Sequence, residues 1–166
     1  MKTFEIKHRF TGNVLFSLEC GSLKLCVEAA VKSGADLSWA YLSEADLSGT
    51  NLTRADLSGA YLSKADLSGA DLSGTNLTRA NLIGAYLTGA NGEKTKIEKT
   101  PLQILGLRLA IIIFDNHMKI GCEFHKIADW ETYDDDRISR MDSNALEFWE
   151  ANKESLMAIC EANGRG

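Results

Sequence analysis

Between Ala35 and Asn91 a leucine stands at every fifth residue, eleven times from Leu37 to Leu87 without a slip. Two positions before each leucine stands Ala, or Thr at Thr50 and Thr75. A period of five fits neither the roughly 3.6 of an amphipathic helix nor the alternation of a half-buried strand. It is a repeat, and its unit is too short to bury anything alone. Each leucine must therefore stack on leucines from neighbouring turns of a solenoid. Alternate residues of an extended chain share a face, so the small residue two positions earlier points inward with the leucine. The residue between them points outward and is Asp, Asn or Tyr; the one after Leu is mostly Ser or Thr. The fifth position is Gly, Lys, Arg, Glu or Trp. That suits a corner, where Gly tolerates unusual dihedrals.

A(D/N)LxG in tandem resembles the pentapeptide-repeat proteins, over about a third of the chain. The resemblance implies a mainly β fold: a right-handed quadrilateral parallel β-helix with four pentapeptides to a coil and Leu and Ala inside. On that reading residues 35–91 form about three coils. A Gly/Ser-rich linker is the bland alternative, but a linker has no reason to hold leucine at a strict period.

The flanking segments read as ends for such a rod. Thr3–Phe10 and Val14–Cys20 alternate as strands around Thr11-Gly12-Asn13. Ser22 can cap a short helix with Leu23, Cys26, Val27 and Ala30 on its apolar face, and Gly34 stops it. A solenoid's first coil exposes leucines and backbone edges that invite aggregation unless covered, so residues 1–34 are expected to be an N-terminal hairpin-helix cap. After Asn91 the leucine gives way to Gly92, and a lysine-rich link ends at the only proline, Pro101. Leu102–Phe114 is apolar and β-rich, Asp115-Asn116 signals a turn, and His117–Ile127 alternates with Met118, Ile120, Cys122 and Phe124 on one face. Together they read as a hairpin. Ser143 is placed to cap a helix reaching Cys160 with Leu146, Trp149, Leu156 and Cys160 along one side, and Asn163-Gly164 stops it. Residues 92–166 are thus expected to be a link and a C-terminal α+β module. It resembles tails of pentapeptide-repeat proteins of phage and prophage origin.

Net charge is −5 and the isoelectric point about 5.2, which disfavours non-specific attraction to nucleic acid or anionic membrane. No apolar run approaches a transmembrane span, and the opening MKTFEIKHRF is too mixed for a signal peptide. A cytoplasmic protein is expected, with Cys20, Cys26, Cys122 and Cys160 as reduced, buried thiols.

Catalytic chemistry finds little footing. Cys122 and His125 have a spacing that can suggest zinc, but an odd offset on a strand sends them to opposite faces. Glu123 and His125 share the outer face, as an exposed pair. The many Ser and Asp of the repeats follow the repeat period, and no histidine lies between His8 and His117 to build a triad with them. No phosphate-binding Gly loop matches. The expectation is no enzyme, no cofactor and no metal.

Surface remains. Four units to a coil sort the outward residues into columns: Asp36, Asp56 and Asn76; Tyr41, Tyr61 and Asn81; Asp46, Asp66 and Tyr86; Asn51, Asp71 and Asn91. The repeats carry six acidic and three basic side chains. Exposed aromatics beside charge are common contact anchors, so Tyr41, Tyr61, Asp46, Asp66 and Tyr86 are the candidate partner-binding residues. The string ADLSGTNLTRA occurs at 45–55 and again at 70–80, a shift of five units rather than four, so duplicated segments land one face apart. Some pentapeptide-repeat proteins resemble duplex DNA in shape and charge and bind DNA gyrase. The resemblance implies a phage-encoded inhibitor of a host nucleic-acid-acting or defence enzyme, working by protein–protein contact and partial DNA mimicry, without binding nucleic acid or membrane itself. The alternatives are a scaffold or spacer whose C-terminal module binds a partner, and a small-ligand binder that sequesters a nucleotide signal between protomers of a homo-oligomer.

Overall fold

Strands β1 (Lys2–His8) and β2 (Val14–Cys20) pair antiparallel around Gly12, which takes φ +71°. β1 stops at His8, short of Phe10, because the turn closes early: the Gly12 N–H donates to His8 O, and the His8 ring accepts from the Phe10 and Thr11 N–H groups. Helix α1 (Leu23–Lys32) starts where the Ser22 hydroxyl accepts from the Leu25 N–H at 3.2 Å, satisfying one of the unpaired donors of the first turn. It buries Cys26, Val27 and Ala30 and leaves Leu23 half-covered. The structure, a computed structural model, describes residues 1–88, 94–104 and 106–166.

The repeats wind as a ladder of parallel bridges. Tyr41 pairs with Tyr61, Asp46 with Asp66, Asn51 with Asp71, Asp56 with Asn76, Tyr61 with Asn81 and Asp66 with Tyr86, each partner 20 residues on. A coil is therefore four five-residue units. Backbone bonds close it from both sides, as where the Tyr61 N–H donates to Ala40 O and the Leu42 N–H to Tyr61 O. Every leucine from Leu37 to Leu87 is buried, none above 4% exposed, with alanines and Thr50 and Thr75 between them. Between units the N–H of the small residue returns to the preceding leucine carbonyl, for example Thr50 to Leu47 O at 3.1 Å. That is a four-residue turn, and its third residue has φ near +60°, as a type II turn requires. Gly49 and Gly69 sit there, but so do Trp39, Glu44, Arg54, Lys64 and Arg79 at φ 58–61°. A side chain in this region costs about 1–2 kcal/mol; the ladder on either side imposes it.

One corner has a second demand. A Cβ on Gly59 (φ +66°) would meet the Trp39 ring at 2.6 Å, whereas one on Gly69 (φ +70°) meets nothing closer than 3.9 Å. Gly59→Ala and Gly69→Ala share the backbone cost, but only the first must unseat Trp39, and overpacking of that kind costs about 1–3 kcal/mol. Thermal melts should therefore place Gly59→Ala clearly below Gly69→Ala. Equal melting would mean that Trp39 is not seated on the corner.

Both ends of the ladder are closed by the flanking chain. At the start, β1 pairs antiparallel with β3 (Ala40–Tyr41), matching Lys7 to Tyr41 and His8 to Ala40. The Arg9 N–H donates to Trp39 O, and the Arg9 guanidinium to Gly59 O at 2.9 Å. On α1, the Lys24 ammonium donates to Ser48 O and Glu28 accepts from the Asn51 N–H. Ile6, Cys26, Val27 and Ala30 join one core with the leucine column. At the other end, β4 (Tyr86–Thr88) pairs antiparallel with β5 (Lys94–Lys96), and Ile97 exchanges backbone bonds with Gly84 and Ala85. The Gln103 amide accepts from the Leu77 N–H at 2.8 Å and donates to Thr75 O at 2.7 Å, standing in for a further coil's backbone.

The rest of the chain is a four-stranded antiparallel meander with three helices. β6 (Leu102–Ile104), β7 (Ile111–Ile113), β8 (His117–Ile120) and β9 (Glu123–Lys126) lie side by side in chain order, followed by α2 (Ile127–Thr132), α3 (Asp135–Ser139) and α4 (Ala145–Ala162). Each strand of the expected single hairpin is thus split in two, giving three successive antiparallel pairs. Gly106 (φ +84°) lies between β6 and β7, and Gly121 (φ +59°) turns the chain between β8 and β9. Ser143 does not cap α4; Asn144 is the N-cap, without a side-chain bond to the helix, and Asp142 accepts from the Asn144 N–H instead. Ile112, Phe114 and Phe124 pack toward the repeat core, while Ile111, Ile113 and Met118 join Trp130, Phe148 and Trp149 in a second one. The chain's end is pinned there: Arg165 is buried and its guanidinium donates to Ile113 O and Thr100 O.

Candidate interaction surface

The outward column position is first of all structural. Asp36, Asp46, Asn51, Asp56, Asp66, Asp71, Asn76 and Asn81 each accept, through Oδ1, the backbone N–H two residues on, at 2.8–3.1 Å. These are Asx turns, in which a short polar side chain imitates a backbone turn. The alternation of (D/N)-L-(S/T) is their signal, although the faces of a pleat alone do not reveal it. Tyr41 and Tyr61 cannot make this bond, and there the serine hydroxyl reaches to the next coil: Ser43 to Ser63 O, and Ser63 to Ile83 O, each at 3.0 Å.

Tyr41 stands directly beside Tyr61, with ring centroids 5.7 Å apart and the planes tilted by 43°. Tyr41 is 54% exposed and Tyr61 half-buried. Arg9 lies over the Tyr61 ring at 5.0 Å and the Phe10 ring at 4.7 Å, continuing the aromatic face onto the hairpin. On the neighbouring face Asp46 is bridged to Asp66 and Asp66 to Tyr86, so the five candidate residues occupy two adjacent columns. Asp46 is exposed, Asp66 half-exposed and Tyr86 exposed. Ser48 donates both its hydroxyl, at 2.7 Å, and its N–H to the Asp46 carboxylate. These bonds hold its carboxyl below the usual range, while Asp66 nearby pushes it up. Asp46 is thus fixed in direction and charged at neutral pH. Asn91, assigned to the fourth column, lies outside the described residues.

The other chemistry-bearing groups sit in the C-terminal sheet. Glu123 and His125 are not an exposed pair: His125 is buried beneath α2, with Nε2 at 2.6 Å from Glu123 and Nδ1 at 2.9 Å from the Tyr133 hydroxyl. A carboxylate only accepts, so in the neutral ring the proton sits on Nε2 and Tyr133 donates to Nδ1. Nε2 is thus engaged within β9, and Nδ1 ties the strand to Tyr133, the residue that ends α2. Cys122 is exposed in the turn after β8, against the expectation of burial, while Cys20, Cys26 and Cys160 are buried and all four are free thiols. Lys119 is buried where the sheet meets the repeats, and its ammonium donates to Cys122 O. Burial lowers its pKa, opposed by Asp71, Cys122 and Glu123. Among the described residues no three His, Cys, Asp or Glu side chains are grouped as metal ligands, and no helix is long and apolar enough to cross a membrane.

A coil of four five-residue units with leucine inside defines the class of the central segment. Residues 33–69 and 55–91 match the family model of pentapeptide repeats, with eight copies, so this part of the chain is a run of pentapeptide repeats. A similar solved structure is that of HetL, a pentapeptide-repeat protein involved in heterocyst differentiation regulation from the cyanobacterium Nostoc sp. strain PCC 7120. The two are 44% identical over 33% of this chain and 22% of HetL's, with a TM-score of 0.30. The chain therefore spans about a fifth of HetL's length. No curated protein matches.

Proposed function

We propose that the protein is a non-enzymatic, phage-encoded cytoplasmic binder that inhibits a host nucleic-acid-acting or defence enzyme, with the repeats as a right-handed quadrilateral β-helix and a partial mimic of DNA. The observation that carries this reading is the pair of adjacent columns: Asp46 over Asp66, bordered by Tyr41 beside Tyr61. Carboxylates repeating at the spacing of stacked strands, about 4.8 Å, offer a basic groove a row of anions, and the tyrosines add apolar contact. The mimicry is partial on magnitude alone. DNA carries a charge about every 1.7 Å of axis, denser than one column can supply, and three coils rise only about 15 Å.

A pull-down from bacterial lysate followed by mass spectrometry tests the reading. Recovery of a DNA-acting or defence enzyme by the parent, and its loss in Asp46→Asn/Asp66→Asn, is the expected result. An enzyme retained equally by both variants, a retained nucleotide, or nothing retained would contradict it, the last in favour of a scaffold.

A further inference from the structure

A groove of about 1070 Å³ runs between α4 and the chain from α2 to the start of α3. Its apolar lining includes Ile127, Trp149, Met157 and Ala158, and its acidic lining is Glu131, Asp135, Glu150, Glu154 and Glu161. All five acids are exposed, and none of them makes an ion pair among the described residues. The two cations in the lining, Lys153 and Arg165, offset only two of the five negative charges, and neither is paired with a carboxylate among the described residues. The Arg165 guanidinium is committed to Ile113 O and Thr100 O, and the Lys153 ammonium donates to Glu131 O and lies over the Trp149 ring at 5.6 Å. At 3.6 residues per turn, approximately, positions 150, 154, 157, 158 and 161 fall on one side of α4, so three acids and two apolar residues share a single stripe. The stripe from Glu150 to Glu161 is about 16 Å long, three helical turns. Trp149 adds a polar atom: it is 4% exposed, and its indole N–H has no acceptor among the described residues.

We propose that this groove receives an amphipathic helix of a partner protein, apolar on the face laid into it and flanked by lysine or arginine. Charge decides the occupant. A rim of net negative charge repels an anionic membrane or a nucleic acid and attracts cationic side chains. The apolar lining supplies what a helix-in-groove contact needs, with anchors at helical spacing. The volume is at the upper end for a small-molecule pocket, roughly 300–1,000 Å³, and a groove open along three turns suits a helix better. The inference does not rest on the Asp46–Asp66 column, which belongs to a different surface.

The probe is a synthetic peptide of leucine and lysine, about 12 residues long and patterned at the helical period, titrated by calorimetry against the full chain. Its control has the same composition in scrambled order. The patterned peptide should bind, and the scrambled one should be about tenfold weaker, a difference of roughly 1.4 kcal/mol. Glu150→Lys/Glu154→Lys, two exposed changes checked by an unaltered melt, and Met157→Glu should each abolish the preference. Asp46→Asn/Asp66→Asn should leave it intact, which separates failure here from failure of the rod reading. Equal binding of the two peptides, or a preference that survives the lysine variant, overturns the proposal. So does concentration-dependent self-association lost in Met157→Glu, which would make a second copy the occupant.

Discussion

Leu62→Asp leaves the chain unfolded under conditions where the parent is folded. Leu62 is fully buried in the middle coil, and its N–H donates to Asn81 O at 2.8 Å. Truncating a buried leucine costs about 2–5 kcal/mol through lost burial and the cavity left behind. A carboxylate in its place adds a desolvation cost of several kcal/mol more, because the residues at the same position one coil away, Leu42 and Leu82, are themselves buried leucines. The sum is comparable with the roughly 5–15 kcal/mol that holds a domain folded. Leu62→Met, which nearly conserves volume, should cost under about 1.5 kcal/mol. Circular dichroism melts of the two variants read the difference. An aspartate variant that melts like the parent would put the leucine column on the surface and end the coil description.

Removal of residues 1–34 has the next largest effect, on association rather than on a single contact. The deletion takes away the β1 edge that pairs with β3, the Arg9, Lys24 and Glu28 side chains that bond repeat backbone at Gly59, Ser48 and Asn51, and Ile6, Cys26, Val27 and Ala30 from the shared core. It leaves Leu37, Leu42, Leu47 and Leu52 behind an open edge, which templates pairing with another chain. A solenoid stripped of its end cover loses solubility in the same way. Size-exclusion chromatography of the truncated chain should show aggregates or concentration-dependent oligomers. A soluble monomer would mean that the hairpin and α1 are an attached module rather than a cover.

The repeat was legible because its signal is a strict period: the leucine column, the inward small residues and the 20-residue columns follow from one count and one face argument. The Asx turns were written in the same letters but belong to local hydrogen bonding, which a face argument ignores. Beyond Pro101 less is legible. Each apolar run reads as a single strand, although Gly106 and Gly121 inside them mark the turns that split each run in two. α2 and α3 are five or six residues long, too short for any periodicity to show. The burial of His125 depends on Tyr133 and Trp130 folding back over β9, a tertiary contact with no local trace. Of the candidate surface, the positions of the tyrosines and aspartates were countable, while Arg9 and Phe10 joining the aromatic face depends on how the hairpin docks.

The proposed role of the repeats rests on charge presented at Asp46 and Asp66, and one titration addresses it. The affinity of the recovered enzyme is measured for the parent and for Asp46→Asn/Asp66→Asn across a range of salt. Asn keeps the Asx turns, since its Oδ1 accepts from the Ser48 and Ser68 N–H groups as Asp does, so stability should hardly change. The parent's affinity should fall steeply as salt screens the contact, and the double variant should bind more weakly with a flatter dependence. Binding by the variant equal to the parent's at both low and high salt would contradict the account.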